Sequence, residues 1–292
     1  MPERQKSIEF SVLTVDDGML TNDERQIIYQ HGYLPEHLTD YVEAVSGADP
    51  FLIEQFLCFH RRRHMVFIGY PLGDENADIQ KAYDAACRKF KPSTVALVCS
   101  ESWIPEEEYQ KQPADMYYQL KLPPEEVTAD VAYMVRRAAK ELSFRQGKFS
   151  KEHRKLVKAF MKAQDLRQEQ RHIFKHIQDY LKRSTSAHLL EVRKENALAA
   201  FSIVDTGAAD YAFYMFSFRS GKISVPGASD LLFNEMIKLA ENEGKKVINL
   251  GLGVHTGIRR FKEKWGGVAF LAYNSVLLRR GTVELGDIAK KL

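Results

Sequence analysis

The sequence predicts an α/β (α+β) protein with mixed central sheets, built as two similar halves joined by a basic helical segment. Three observations carry this. Near the C-terminal end a helix, a buried strand and a basic glycine-bounded turn follow one another over residues 228–267. The order of elements over residues 55–99 (strand, strand, helix, strand) returns over residues 187–251 with one further strand. Between the two, from Arg136 to Arg183, 15 Lys/Arg stand against 5 Asp/Glu, a local charge of +10 in a chain of net charge +3. These features divide the chain at residues 1–125, 126–184 and 185–292.

Taken in order, Ile8, Phe10 and Val12 alternate as a first strand over residues 7–16. Short helical patterns follow at 22–31 and 36–45. Residues 56–60 and 64–69 read as a strand pair around a basic tip, Arg61-Arg62-Arg63. Ile79, Ala82, Tyr83, Ala86 and Cys87 form one face of a helix over 78–90, and 94–99 is a continuous apolar strand. Another strand is expected over 116–122. The connector reads as helices: 128–142 with Val131, Met134, Val135 and Ala138 inward, then 151–163 capped by Ser150, then one helix over 166–181 with Ile173, Ile177 and Leu181 on a face. His153 occupies the third position after Ser150, where Glu or Gln would complete a capping box, so that box is expected to be incomplete. Strands are expected over 189–193, 198–204 and 211–218. Ser229 or Asp230 then caps a helix over 228–243, with Leu232, Met236, Leu239 and Ala240 on one face and Gly244 at its end. Val247, Ile248 and Leu250 form the last expected strand.

Composition sets outer limits. Of the 292 residues 45% are hydrophobic and 28% charged, as in ordinary globular proteins, and the length suits two domains. The longest apolar runs are too short to span a bilayer, and the first residues lack the apolar core of a signal peptide. Cys58, Cys87 and Cys99 include no C-x-x-C pair and read as reduced thiols, which points to the cytoplasm. No metal site is expected: the nine histidines are scattered, and His60 and His64 have no carboxylate or thiol partner at ligand spacing. Gly251-Leu252-Gly253 is no dinucleotide fingerprint, because no third glycine opens a following helix.

The C-terminal run suggests an anion site. A helix start gathers free N–H groups and partial positive charge, so the donor-binding candidates are Val225, Gly227, Ala228, Ser229 and Asp230. Arg259, Arg260, Phe261 and Lys262 lie just beyond the carboxyl end of a strand, where open α/β sheets bind ligands. Phe261 and Trp265, at i and i+4, equally suit a packed helix with its cations exposed. Asn249 and His255 sit near the same strand end, where either suits orienting an amine. Arg154, Lys155, Lys158, Lys162, Arg167 and Arg171 form a basic stripe that suits RNA or an anionic membrane surface, or simply a solvated face.

The segment carrying Leu250-Gly251 and Phe261-Lys262-Glu263-Lys264-Trp265-Gly266-Gly267 resembles the C-terminal half of the GNAT-like acyltransferases. The likeness is to the branch holding the Fem-type aminoacyl transferases and the phosphatidylglycerol lysyltransferase domain, and it is clearest over residues 186–280. It implies tandem GNAT-like domains, and transfer of an activated acyl or aminoacyl group to an amine. The donor would be acyl-CoA or aminoacyl-tRNA, with no tightly bound cofactor. The acceptor would be a small-molecule, lipid or peptide amine, and tRNA is an implied partner. Its Phe-Lys motif supports Lys262, which completes a catalytic set with Asn249 and His255, near the strand end, and Tyr214, beside the expected cleft. One departure stands out: the pyrophosphate loop of GNAT enzymes is replaced by Ser224-Val225-Pro226-Gly227-Ala228-Ser229-Asp230. A non-catalytic GNAT-like protein that binds a ligand or RNA is the alternative.

Overall fold

The computed structural model describes residues 20–74, 76–105, 109–111, 114–125 and 127–279; the strand expected over 7–16 lies outside them. An N-terminal cap comes first: α1 (Asn22–His31), a 3-10 turn (Pro35–His37) and α2 (Thr39–Ser46). Thr21 and Glu24 close a capping box at the start of α1. The first repeat follows as β1 (Asp49–Ile53), β2 (Phe56–Arg61), β3 (His64–Ile68), α3 (Ile79–Phe90) and β4 (Thr94–Cys99). Asp78 caps α3, and Ala82, Tyr83, Ala86 and Cys87 are buried as their spacing requires. Next come β5 (Tyr109–Lys111), β6 (Asp115–Lys121), α4 (Ala129–Ala139), β7 (Ser143–Gly147), α5 (Lys151–Ala163), α6 (Gln168–Lys175) and α7 (Ile177–Arg183). The second repeat is β8 (Ala187–Lys194), β9 (Ala197–Asp205), β10 (Tyr211–Arg219), α8 (Ala228–Asn242) and β11 (Val247–Leu252), closed by α9 (Thr256–Glu263) and β12 (Val268–Arg279).

The described strands form one sheet in the order β1-β2-β3-β4-β12-β6-β11-β10-β9-β8-β7, with β5 beside β12. Each repeat is three antiparallel strands, a crossover helix and a parallel fourth strand: β3 runs parallel to β4, and β10 to β11. The repeats exchange strands at the seam. The first half of β12 pairs with β6 (Val268↔Gln119 to Tyr273↔Asp115), and its second half pairs with β4 (Asn274↔Cys99 to Arg279↔Thr94). β6, from early in the chain, lies between β12 and β11.

Three sequence expectations change. The third connector helix is two helices, broken at His176, whose ring Nδ1 lies 2.9 Å from the carbonyl of His172. The break turns Tyr180 inward, where its hydroxyl donates to buried Asp205. The α5 capping box is complete, because imidazole serves where Glu was expected. Ser150 N–H donates to His153 Nδ1 at 3.1 Å, and His153 Nε2 meets Glu191 Oε2 at 2.6 Å. Neither Ser229 nor Asp230 caps α8. The N-cap is Gly227 at φ 83°, and a Cβ there would lie 2.3 Å from the Met134 carbonyl oxygen of α4. β1, β5, β7 and β12 are strands the sequence reading did not expect. Trp265, Phe233, Met236 and Leu232 are 0–1% exposed in the core beneath α8, where each buried side chain of this size contributes about 1.5–3 kcal/mol.

Candidate active site

The second repeat opens where the first stays closed. β10 and β11 pair only from Tyr211↔Val247 to Phe213↔Asn249, then part. Three register shifts mark the opening: Tyr214/Phe216 against β9, Asn249/Gly251 against β6, and Ala269/Leu271 of β12 against β6. Asn249, fully buried, secures the opening. Its Oδ1 accepts from Gly251 N–H at 2.8 Å, and its Nδ2 donates to the Tyr33 carbonyl at 2.7 Å. Gly251, at φ 71°, has no atom nearer than 3.8 Å to the position of an added Cβ. Asn249 is therefore a structural tie at the strand end. Tyr214 is half-buried against Phe233, with ring centroids 5.5 Å apart, and burial raises its phenol pKa.

α9 is fastened to that same strand end. Lys262 is 2% exposed, and its Nζ donates to the carbonyls of Gly251 and Leu252 at 2.9 and 2.6 Å. Burial pushes its pKa down to about 7, against the opposing pull of Asp115. Asp115 holds the loop between β11 and α9, accepting from Gly253 N–H at 3.2 Å and Val254 N–H at 2.7 Å. His255 is the N-cap of α9: its Nδ1 accepts from Gly257 N–H at 3.1 Å. Phe261 and Trp265 pack on Phe233 of α8 at 5.3 and 4.8 Å between centroids. Arg259 and Arg260 are exposed. Lys262 thus shapes the strand end from inside, and the exposed cations of α9 are the two arginines.

The start of α8 is already occupied. Val225 and Ala228 are buried in the core, and Gly227 abuts α4. Asp230, 5% exposed, accepts from Trp265 Nε1–H at 3.0 Å and pairs with Lys264. A carboxylate with its own lysine therefore stands in the first turn, where an anionic ligand group was expected. Ser229 is half-buried.

The opposite face of the opening is covered by the cap, which sequence reasoning left without a role. Leu38 packs with Phe213, and Tyr41 lies 6.1 Å from Phe216. Tyr33, Leu252, Phe270 and Tyr273 pack against the core cluster that holds Tyr117. Glu36 enters this cluster from the 3-10 turn, beside the Tyr117 hydroxyl. The only sequence sign of it is one acid beside His37 in a turn otherwise made of Leu and Pro, Leu34 to Leu38. A cavity of about 160 Å³ opens between α1, α2 and residues 184–207. Its Asp205 is already satisfied by Tyr180, Ser184, Ser186 and Gly207 N–H.

The basic stripe divides in two. Arg154, Lys155, Lys158 and Lys162 are exposed along α5, and Arg154 donates to Gln178. Arg167 is exposed at the start of α6. Arg171 instead serves the backbone: its guanidinium donates to the carbonyls of Leu166 at 3.1 Å and Met161 at 2.9 Å. Among the described residues no three His, Cys, Asp or Glu side chains converge as a metal site, and no helix is long and apolar enough to cross a membrane.

No protein-family profile matches the sequence, and no curated protein matches it. Solved structures do match. FemX superposes with a TM-score of 0.59 at 11% identity, covering 87% of this chain and 96% of FemX. L-PGS from Bacillus licheniformis gives 0.57 at 16%, covering 94% of this chain and 96% of that one. A tandem GNAT protein from the clavulanic acid biosynthesis pathway gives 0.54 at 12%, with 78% and 79% covered. At such identities the likeness speaks for architecture: the chain has a tandem GNAT-like fold.

Proposed function

We propose that the protein is an acyltransferase whose site is the opening between β10 and β11, and that it moves an aminoacyl group from aminoacyl-tRNA to an amine acceptor. The amine nitrogen attacks the ester carbonyl, the tetrahedral intermediate collapses, and the ribose hydroxyl leaves with the proton the amine gives up. Such a reaction needs positioning and stabilisation of developing charge rather than a protein nucleophile.

The observation that carries the choice of donor is the occupied start of α8. A coenzyme A pyrophosphate needs free N–H groups and space there. Here α4 presses on Gly227, and Asp230 with Lys264 fills the first turn. The exposed lysines of α5 supply positive charge for an RNA backbone. In this reading Lys262 and Asn249 are positioning residues that keep the strand end open, and Arg259 and Arg260 meet the donor's phosphates.

Calorimetric titration of nucleic-acid-free protein with charged tRNA and with acetyl-CoA tests this reading. Binding of charged tRNA alone is expected. Tight acetyl-CoA binding without tRNA binding would refute the choice of donor. Charged tRNA that binds but never passes its aminoacyl group to any amine would favour a non-catalytic RNA-binding protein.

A further inference from the structure

Glu36 carries a carboxyl group into the middle of the molecule without a counter-charge. It lies deep between the cap and the sheet, yet it and the neighbouring Tyr33, Tyr41 and Tyr273 keep partial solvent contact. That partial contact belongs to the residues as a whole, while Glu36 Oε2 and the Tyr117 hydroxyl are themselves enclosed. Burial raises the Glu36 pKa, and the groups that act on it are the Tyr117 hydroxyl and backbone N–H. Even so, neither Glu36 Oε2 nor the Tyr117 hydroxyl meets a partner at hydrogen-bonding geometry. Tyr117 itself is 0% exposed. His37 is no substitute cation, because burial pushes its pKa down to about 3. Among the described residues no Lys, Arg or His forms an ion pair with Glu36.

Aromatic rings wall this place. Tyr70 and Tyr273 stand nearly perpendicular to Tyr117, at 6.1 and 5.5 Å between centroids. The Tyr70 hydroxyl is fixed by donation to the Ala272 carbonyl at 2.6 Å. The cluster also adjoins the opening, since Tyr117 is the register partner of Leu252, one residue beyond Gly251. A buried carboxyl beside a buried phenol, with no well-aligned hydrogen bond at Glu36 Oε2 or the Tyr117 hydroxyl, and aromatic walls are the complement of a compact organic cation.

We propose that Glu36 and Tyr117 form a receptor for a primary ammonium group of a substrate entering between β10 and β11. The ammonium donates to Glu36 Oε2 and to the Tyr117 oxygen, and supplies the charge the pocket lacks. An aminoacyl donor and an amine acceptor both carry such a group. The acyl-transfer reading enters only in naming these two sources.

The test is calorimetric titration of the full-length protein, near neutral pH, with alaninamide and leucinamide and with their N-acetyl forms. The amides are expected to bind and the N-acetyl forms not. Glu36→Gln should weaken the amides by about tenfold, the loss of one charge-assisted contact, and Tyr117→Phe by a smaller factor. Should Glu36→Gln fail to fold, Tyr117→Phe with Glu36 intact still reads the site. No amide binding at millimolar concentration, or wild-type binding in the folded variants, would overturn the proposal. Charged tRNA with and without Nα-acetylation separates the sources. If the donor's ammonium is read, acetylation weakens binding to the wild type but not to Glu36→Gln. If the acceptor's is read, acetylation changes neither and the amides still bind. Amide binding without any acyl transfer would refute the proposed reaction and leave this site standing.

Discussion

The two repeats share one plan, and they differ at the end of the parallel pair. In the first, β3 and β4 stay in register for five pairs, from His64↔Thr94 to Ile68↔Val98, and Gly69 N–H extends the ladder to the Val98 carbonyl. A Cβ on Gly69 would meet Ile79 Cδ1 at 2.6 Å and Cys99 Cβ at 3.0 Å, so that strand end is packed shut. In the second, β10 and β11 part after three pairs, and a Cβ on Gly251 would meet nothing closer than the Tyr214 carbonyl oxygen at 3.8 Å. The same supersecondary unit thus serves as scaffold in one half and as a cleft in the other. Of the two parallel pairs, only the interrupted one parts at its end.

As scaffolds the two units should be equivalent. Phe67 in the first and Phe233 in the second are 0% and 1% exposed. Replacing either by alanine is expected to cost about 3–5 kcal/mol in denaturant unfolding. A loss confined to one repeat would break the comparison. Glycine substitution should then separate them. Gly69→Ala forces a methyl into packed atoms and should cost about 1–3 kcal/mol without altering donor binding in the protein that remains folded. Gly251→Ala places its methyl in ordinary contact with the Tyr214 carbonyl oxygen at 3.8 Å, so its stability cost is the left-handed backbone, about 1 kcal/mol. Its larger effect should be on transfer, read as kcat/KM, because it narrows the opening.

Lys262 gives a sharper signature by pH. With its pKa pushed down to about 7 in the folded protein, the unfolded chain holds a proton that the folded chain has shed, between that value and the usual lysine range. Wild-type stability should therefore rise with pH through this window relative to Lys262→Met. Parallel curves for the two proteins would mean the amine titrates normally. The smallest effect on the fold should come from Lys155, Lys158 and Lys162. Reversing all three to Glu is expected to leave stability within about 0.5 kcal/mol. It should weaken tRNA binding and lower its salt slope by about one per residue removed; an unchanged slope would make α5 a solvated face.

Much of the second repeat was legible in sequence, because its signals are local. The apolar spacing in α8, the Val247–Leu250 run and the Phe261/Trp265 pair each report a face that is in fact buried. Roles fixed by distant partners were not legible. Asn249 reads as an amine-orienting residue until its partner appears at Tyr33, 216 positions away. Asp230 reads as a cap until Trp265 and Lys264 close over it. Arg171 reads as one more cation of a stripe until the carbonyls at the end of α5 claim it. Glu36 carries no motif at all; its importance comes from β6 and β12 crossing the seam between the repeats.

The most direct test of the account is transfer of a labelled aminoacyl group from charged tRNA to hydroxylamine, a small unhindered amine, comparing wild type with Gly251→Val and Gly69→Ala. The account predicts that wild type accelerates hydroxamate formation, that folded Gly251→Val does not, and that folded Gly69→Ala keeps the wild-type rate per molecule. Transfer that survives in Gly251→Val and disappears in Gly69→Ala would place the reaction in the first repeat and contradict it.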